Sequence, residues 1–125
     1  MMTQSTLTKI YAFFMDVYGV DVSDVAYLYN DLGSTDAGQL VKGRYVGDDN
    51  IVYINPRMRD TQDYVPYEEE ITFVHELNHS VQYNHDKAIT YTGSITTINN
   101  IEWDKIQYRD RYNEIDSRLV GVMYV

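Results

Sequence analysis

The stretch that most constrains this chain is His75-Glu76-Leu77-Asn78-His79, which reads H-E-x-x-H. On a helix, positions i and i+4 stand on one face a turn apart, so two imidazoles so placed reach toward one point. That spacing suits a tetrahedral zinc ion. The glutamate that follows the first histidine then falls beside the ion's open position, where it can take a proton from an attacking water. The chain has three histidines, and two of them are here. The plainer reading is a pair of surface histidines on a solvated helix face, with Glu76 an ordinary helix former.

The flanking residues supply the helix the motif needs. Pro66 with Glu68, Glu69 and Glu70 forms a helix start, with acids in the first turn where the macrodipole favours them. The pattern predicts a helix over residues 66–85. At 100° per residue Phe73, Val74, Leu77 and Val81 share one side, and Ile71, His75, His79 and Gln82 gather roughly opposite. One face is expected in the core, the other as the floor of a cleft.

Composition narrows the setting. At 125 residues the chain is expected to form one domain, 1–125, and 44% hydrophobic residues with 13 tyrosines argue for a folded chain. The formal net charge of −9, from 19 acids and 10 bases, argues against nucleic-acid and anionic-membrane partners, which need a basic footprint. With no cysteine there is neither a disulfide framework nor a thiolate metal site. No basic leader or membrane-length apolar run is seen, so the expected location is the cytoplasm.

Along the chain, residues 7–20 carry Leu7, Ile10, Tyr11 and Phe14 at helical spacing, with Ser5 or Thr6 as N-cap and Gly19 as the stop. Residues 25–29 fit either a helical turn or a strand. Residues 31–38 read as loop. Residues 39–46 and 51–54, separated by Gly47-Asp48-Asp49-Asn50, read as a β-hairpin whose edge could receive an extended peptide. Residues 57–65 read as polar loop, and 87–100 as loop or irregular hairpin around Gly93. Residues 104–123 are expected to form a last helix with an apolar stripe of Tyr108, Tyr112, Ile115, Leu119 and Val122.

A catalytic zinc usually takes three protein ligands, and two residues compete for the third place. His85 would give H-E-x-x-H-x-x-x-x-x-H, but on a continuing helix it lies about 120° round from His79. Gln82 stands where a helix-breaking glycine would be needed, although a bend at Asn84 stays open. Glu114 fits better, because Ser117 and Gly121 follow at i+3 and i+7. Small residues on that side allow close approach to the metal helix. Tyr108, Tyr112 and Arg118 are candidate oxyanion donors, with nothing in the sequence to choose among them.

The H-E-x-x-H motif, with Gln82 a turn later and Glu114-Ile115-Asp116-Ser117-Arg118 on a last helix, resembles the gluzincin metallopeptidases. It is most similar to their smallest members, the minigluzincins and related short phage or bacterial proteins. The resemblance covers roughly residues 43–125; its first motif is specific and its second weak. It implies zinc ligands His75, His79 and Glu114, with Glu76 as general base and acid. It also implies an α+β minimal zincin-like domain: an N-terminal helix, a small mostly antiparallel sheet, the H-E-x-x-H helix and a C-terminal helix carrying the third ligand. Ser117 stands where the family usually has alanine, and Arg118 where many relatives carry an acid that supports a zinc-binding histidine. A second resemblance, to metzincins through His85 and Met123, lacks the helix-breaking glycine.

The expectation is therefore a small zinc-dependent metallopeptidase acting on a polypeptide substrate. The alternative is a zinc-binding, zincin-like interaction or inhibitor module without peptidase activity, or a metzincin-like site using His85. An intact Glu76 favours the enzyme, since holding zinc does not require it.

Overall fold

A computed structural model describes residues 2–84, 97–98, 101–102 and 112–125, with side chains for 2–84 and 114–125. Among the described residues the fold is α+β, with three α-helices and a small mixed sheet of three strands. Helix α1 spans Gln4–Tyr18, strands β1 to β3 span Ala26–Tyr29, Gly43–Val46 and Ile51–Ile54, and α2 spans Tyr67–Asn84. A two-stranded ladder, β4 (Thr97–Ile98) and β5 (Ile101–Glu102), precedes α3, Tyr112–Tyr124. No helix among the described residues is long and apolar enough to cross a membrane.

Helix α1 starts earlier than the sequence suggests. Its N-cap is Thr3 rather than Ser5 or Thr6: Thr3 is extended, and its hydroxyl accepts from the Thr6 N–H at 3.1 Å. That arrangement satisfies a donor of the first turn that a cap farther along would leave inside the helix. At the other end Gly19, at φ 66°, closes the helix through its N–H to Met15 O at 2.9 Å. Leu7, Ile10 and Phe14 make the buried face.

The sheet order is β1-β3-β2. The expected hairpin is present: β2 runs antiparallel to β3, pairing Gly43 with Ile54 and Val46 with Ile51. Residues 25–29, left open by the sequence, supply β1, which lies parallel to β3. The sheet is therefore mixed rather than mostly antiparallel. The chain leaves β1 by a long loop and forms β2 before β3, a connection long enough for the parallel pairing of β1 with β3. Residues 57–65 are not all loop either. Asn55 caps a 3-10 helix, Pro56–Asp60, by accepting from the Arg57 N–H, and Met58 is buried beneath it.

The core joins α1 to Val52 and Ile54 of β3, to Met58, and to Phe73, Val74, Leu77 and Val81 of α2, the apolar side expected from the sequence. Helix α3 runs antiparallel along α2, with Asp116 beside Asn78, Gly121 against Ile71, and Tyr124 bonded to Glu70. Its expected apolar stripe is wrong. Leu119 and Val122 are exposed, and the buried side is Glu114, Ser117, Val120, Gly121 and Tyr124. Small and polar residues face α2 because the two helices approach closely around a carboxylate. His85, the Gly93 hairpin and residues 104–111 lie outside the described residues.

The three acids opening α2 are each held. Glu68 pairs with Lys42, and Glu70 pairs with Lys9 and accepts from Tyr124. Glu69 is buried and accepts from Arg59, Tyr29 and Tyr64. Burial alone would raise the Glu69 carboxyl, but these donors outweigh it and hold the group below its usual range.

Strand β2 meets α2 at Gly43. A Cβ there would stand 2.7 Å from Thr72 Cγ2 and 3.0 Å from Glu76 Cγ. Gly43→Ala is expected to lower stability by about 1–3 kcal/mol in urea denaturation. Gly47→Ala meets the exposed Tyr83 ring, which can swing aside, and is expected to change stability by under about 0.5 kcal/mol.

Candidate functional site

Four of the residues singled out in the sequence come together on the polar side of α2. The ligand atoms of His75, Glu76 and His79 lie within 4.8 Å of one another. Glu114, buried on α3, reaches between the imidazoles: one carboxylate oxygen is 3.0 Å from His75 Nε2, the other 2.9 Å from His79 Nε2. Glu76 stands one step back, 3.9 Å from His75 Nε2. The two rings meet edge to face at 5.1 Å, as i and i+4 on a regular helix require.

This donor set fits a small divalent cation. Ligand atoms bonded at about 2.0 Å to a tetrahedral ion stand about 3.3 Å apart, a few tenths of an ångström from the spacing between Glu114 and the imidazoles. His79 Nε2 is buried and makes no hydrogen bond. Its close neighbour is Glu114 at ion-pair distance, so once the ring is neutral this nitrogen can turn its lone pair to an ion held within the cluster. Two nitrogens and a carboxylate form a set that zinc takes readily.

A second layer of contacts holds His79. Its Nδ1 is 2.8 Å from Gln82 Oε1, and the Gln82 amide nitrogen donates to Asp116 Oδ2 at 2.9 Å. Asn78 donates to the same Asp116 oxygen at 2.8 Å and to Ser117 Oγ at 2.9 Å. Gln82 was legible as a neighbour of His79 at i+3. The part taken by Asp116 was not, because two residues along a helix from Glu114 points to a different side until the partner helix is in place. On the opposite flank the Tyr45 N–H of β2 faces the Glu76 carboxylate and works against its upward shift. Of the oxyanion candidates, Arg118 lines the cleft; the side chains of Tyr108 and Tyr112 are outside the described residues.

The site's charges are perturbed. Burial pushes the Glu76 carboxyl up; the charges of His79 and His75 pull it back, Glu114 adds to the rise, and the net shift is upward. Burial alone would lower His79, but the Glu114 carboxylate and the Glu76 charge outweigh it and raise the imidazole to about 8.

No model of a known protein family, no curated protein and no solved structure matches this chain. The site's reading therefore rests on its own geometry.

The raised His79 value sets a pH dependence for the metal-free protein. The folded state holds this proton more tightly than the unfolded chain, whose histidine titrates near 6.5. The resulting stabilisation, about 2 kcal/mol, is complete below 6.5 and lost as pH rises through about 8. The raised Glu76 acts in the same direction. Chelator-treated protein should therefore lose denaturant resistance across that window, and His79→Gln should flatten the loss.

Proposed function

We propose that this chain is a small zinc-dependent metallopeptidase of minimal zincin-like type. In this reading His75, His79 and Glu114 hold the metal, and Glu76 is the general base. The observation that carries it is the convergence of both imidazole Nε2 atoms on the Glu114 carboxylate, at 3.0 and 2.9 Å, with Glu76 alongside. A zinc ion bound there supplies Lewis-acid polarisation of a scissile carbonyl and makes a water acidic enough to lose a proton near neutral pH.

The chain's own residues do the rest. Glu76 accepts the proton of the attacking water on its carboxylate and delivers it to the departing amine, so the group ends the cycle as it began. Its burial raises its basicity toward the range a general base needs, and the Tyr45 N–H keeps the carboxylate aimed while it is charged. A cleft of about 1060 Å³ opens over the site, walled by β2 on one side and by Glu114 and Arg118 on the other. That volume is at the upper end of small-ligand sites and leaves room for several residues of an extended polypeptide. Because β2 is an edge strand, it can pair with such a chain through its backbone.

Metal analysis and peptide-library cleavage test the reading together. About one zinc per chain is expected in wild type and in His85→Ala, and little in Glu114→Ala or His79→Ala. Glu76→Gln should keep the zinc and lose cleavage by about 10²-fold or more. Zinc lost with His85→Ala and kept with Glu114→Ala would move the site to the metzincin arrangement. Zinc-loaded protein without Glu76-dependent cleavage would make it a binding module.

A further inference from the structure

The imidazole of a metal-ligating histidine has two nitrogens, and the hydrogen bond made by one decides whether the other carries a proton. His75 and His79 differ in this respect. His79 has a dedicated partner in Gln82, whose amide can be oriented in only one sense. Its nitrogen faces Asp116 Oδ2 at 2.9 Å, and a carboxylate oxygen accepts, so the amide oxygen faces His79 Nδ1 at 2.8 Å. An amide oxygen cannot donate, so this contact calls for the proton on Nδ1, against the pull of Glu114, whose carboxylate stands 2.9 Å from Nε2. The Ser117 hydroxyl, 3.4 Å from Nδ1, is at the limit of contact. With the proton held on Nδ1, neutral His79 turns a bare Nε2 to the side of the cluster where a metal would lie.

We infer that Asp116 and Gln82 are positioning residues that fix the tautomer of His79, with Asp116 on α3 setting the amide of Gln82 on α2 and Gln82 setting the imidazole. The site thus takes two things from α3: a ligand candidate, Glu114, and, two residues later, the carboxylate that readies a ligand on the other helix. Most of the relay is shielded from water: Gln82 is 3% exposed, and Asn78, which braces Asp116 from the other side, is fully buried. An amide held by a carboxylate in such a place has no low-cost alternative orientation, because flipping it would set its oxygen against Asp116 and its NH₂ against the Nδ1 proton. The carboxylate that the family resemblance places after the third ligand is replaced here by Arg118, and Asp116 supplies the support through an intervening amide. The consequence for metal binding rests on the proposed function. The tautomer itself does not.

The test separates the two. Histidine-selective ¹⁵N NMR on chelated protein, with pH raised until the ring's own ¹⁵N shifts show it neutral, reads the tautomer directly. Zinc affinity is measured in parallel by chelator competition. Wild type is expected to carry the His79 proton on Nδ1. Gln82→Met, which keeps the volume and removes the acceptor, should shift it toward Nε2 and weaken zinc by about 10–100-fold. Asp116→Asn keeps an acceptor oxygen and should retain most of both properties, whereas Asp116→Ala should lose them. Val120→Ala loosens the packing under α3 at a buried residue outside the relay and should leave the tautomer in place. A His79 tautomer unchanged by Gln82→Met, or changed equally by Val120→Ala, would overturn the inference. If wild type binds no zinc the proposed function fails, and the NMR comparison still decides this point.

Discussion

A carboxylate taken out of water costs several kcal/mol unless opposite charge or donors meet it, and Glu114 sits buried between two imidazoles. Much of the molecule follows from meeting that requirement. Glu114 reaches both rings only if α3 lies close along α2, and Ser117 and Gly121 are buried on the facing side. Val120 and Tyr124 complete that buried side, and Leu119 and Val122, on the other face of the helix, are exposed. Glu76, also buried, adds a second charge to the same volume. Two acids beside two histidines, with one ring raised toward 8, form a cluster whose charge is poorly settled by the protein alone. A divalent cation would settle it, which is the physical argument for the proposed metal site.

The two flanks of the cluster are built by different means. Toward β2 the fit is steric and depends on the backbone: Gly43 lets the strand touch the helix, and the Tyr45 amide reaches Glu76. Toward α3 the fit is polar, with Asn78 and Gln82 both donating to Asp116. The proposed base is thus steadied by a strand and the proposed ligands by a helix, and the cleft lies between the two.

What the sequence makes legible divides along the reach of its signals. Helix α2 and its apolar side follow from local periodicity and from the proline and acids at its start, and Gly19 marks the end of α1 for an equally local reason. Glu114 could be selected because Ser117 and Gly121 share its helix face, again within a single element. The parallel placement of β1 depends on a pairing across more than twenty residues, and nothing in Ala26–Tyr29 itself encodes its direction. The stripe on α3 failed because periodicity identifies an apolar side without saying whether a neighbour covers it. A carboxylate that must be buried can turn a helix against its own hydrophobicity. Asp116 was hidden for a related reason: its partners, Asn78 and Gln82, lie on another helix.

Three consecutive acids open α2, and their tethers lie in three directions. Successive helix residues are turned by 100°, so Glu68, Glu69 and Glu70 fan over about 200° of the helix circumference. Glu68 holds Lys42 at the approach to β2, Glu69 holds Arg59 and the tyrosines beside β1, and Glu70 holds Lys9 of α1 and Tyr124 of α3. Guys running three ways from one post stop it from twisting. A helix free to roll about its axis by a few tens of degrees would carry His75 and His79 out of register with Glu114, about one and a half to three turns farther along. These acids act as a torsional brake, holding the angular setting of the motif from a distance while touching none of its residues.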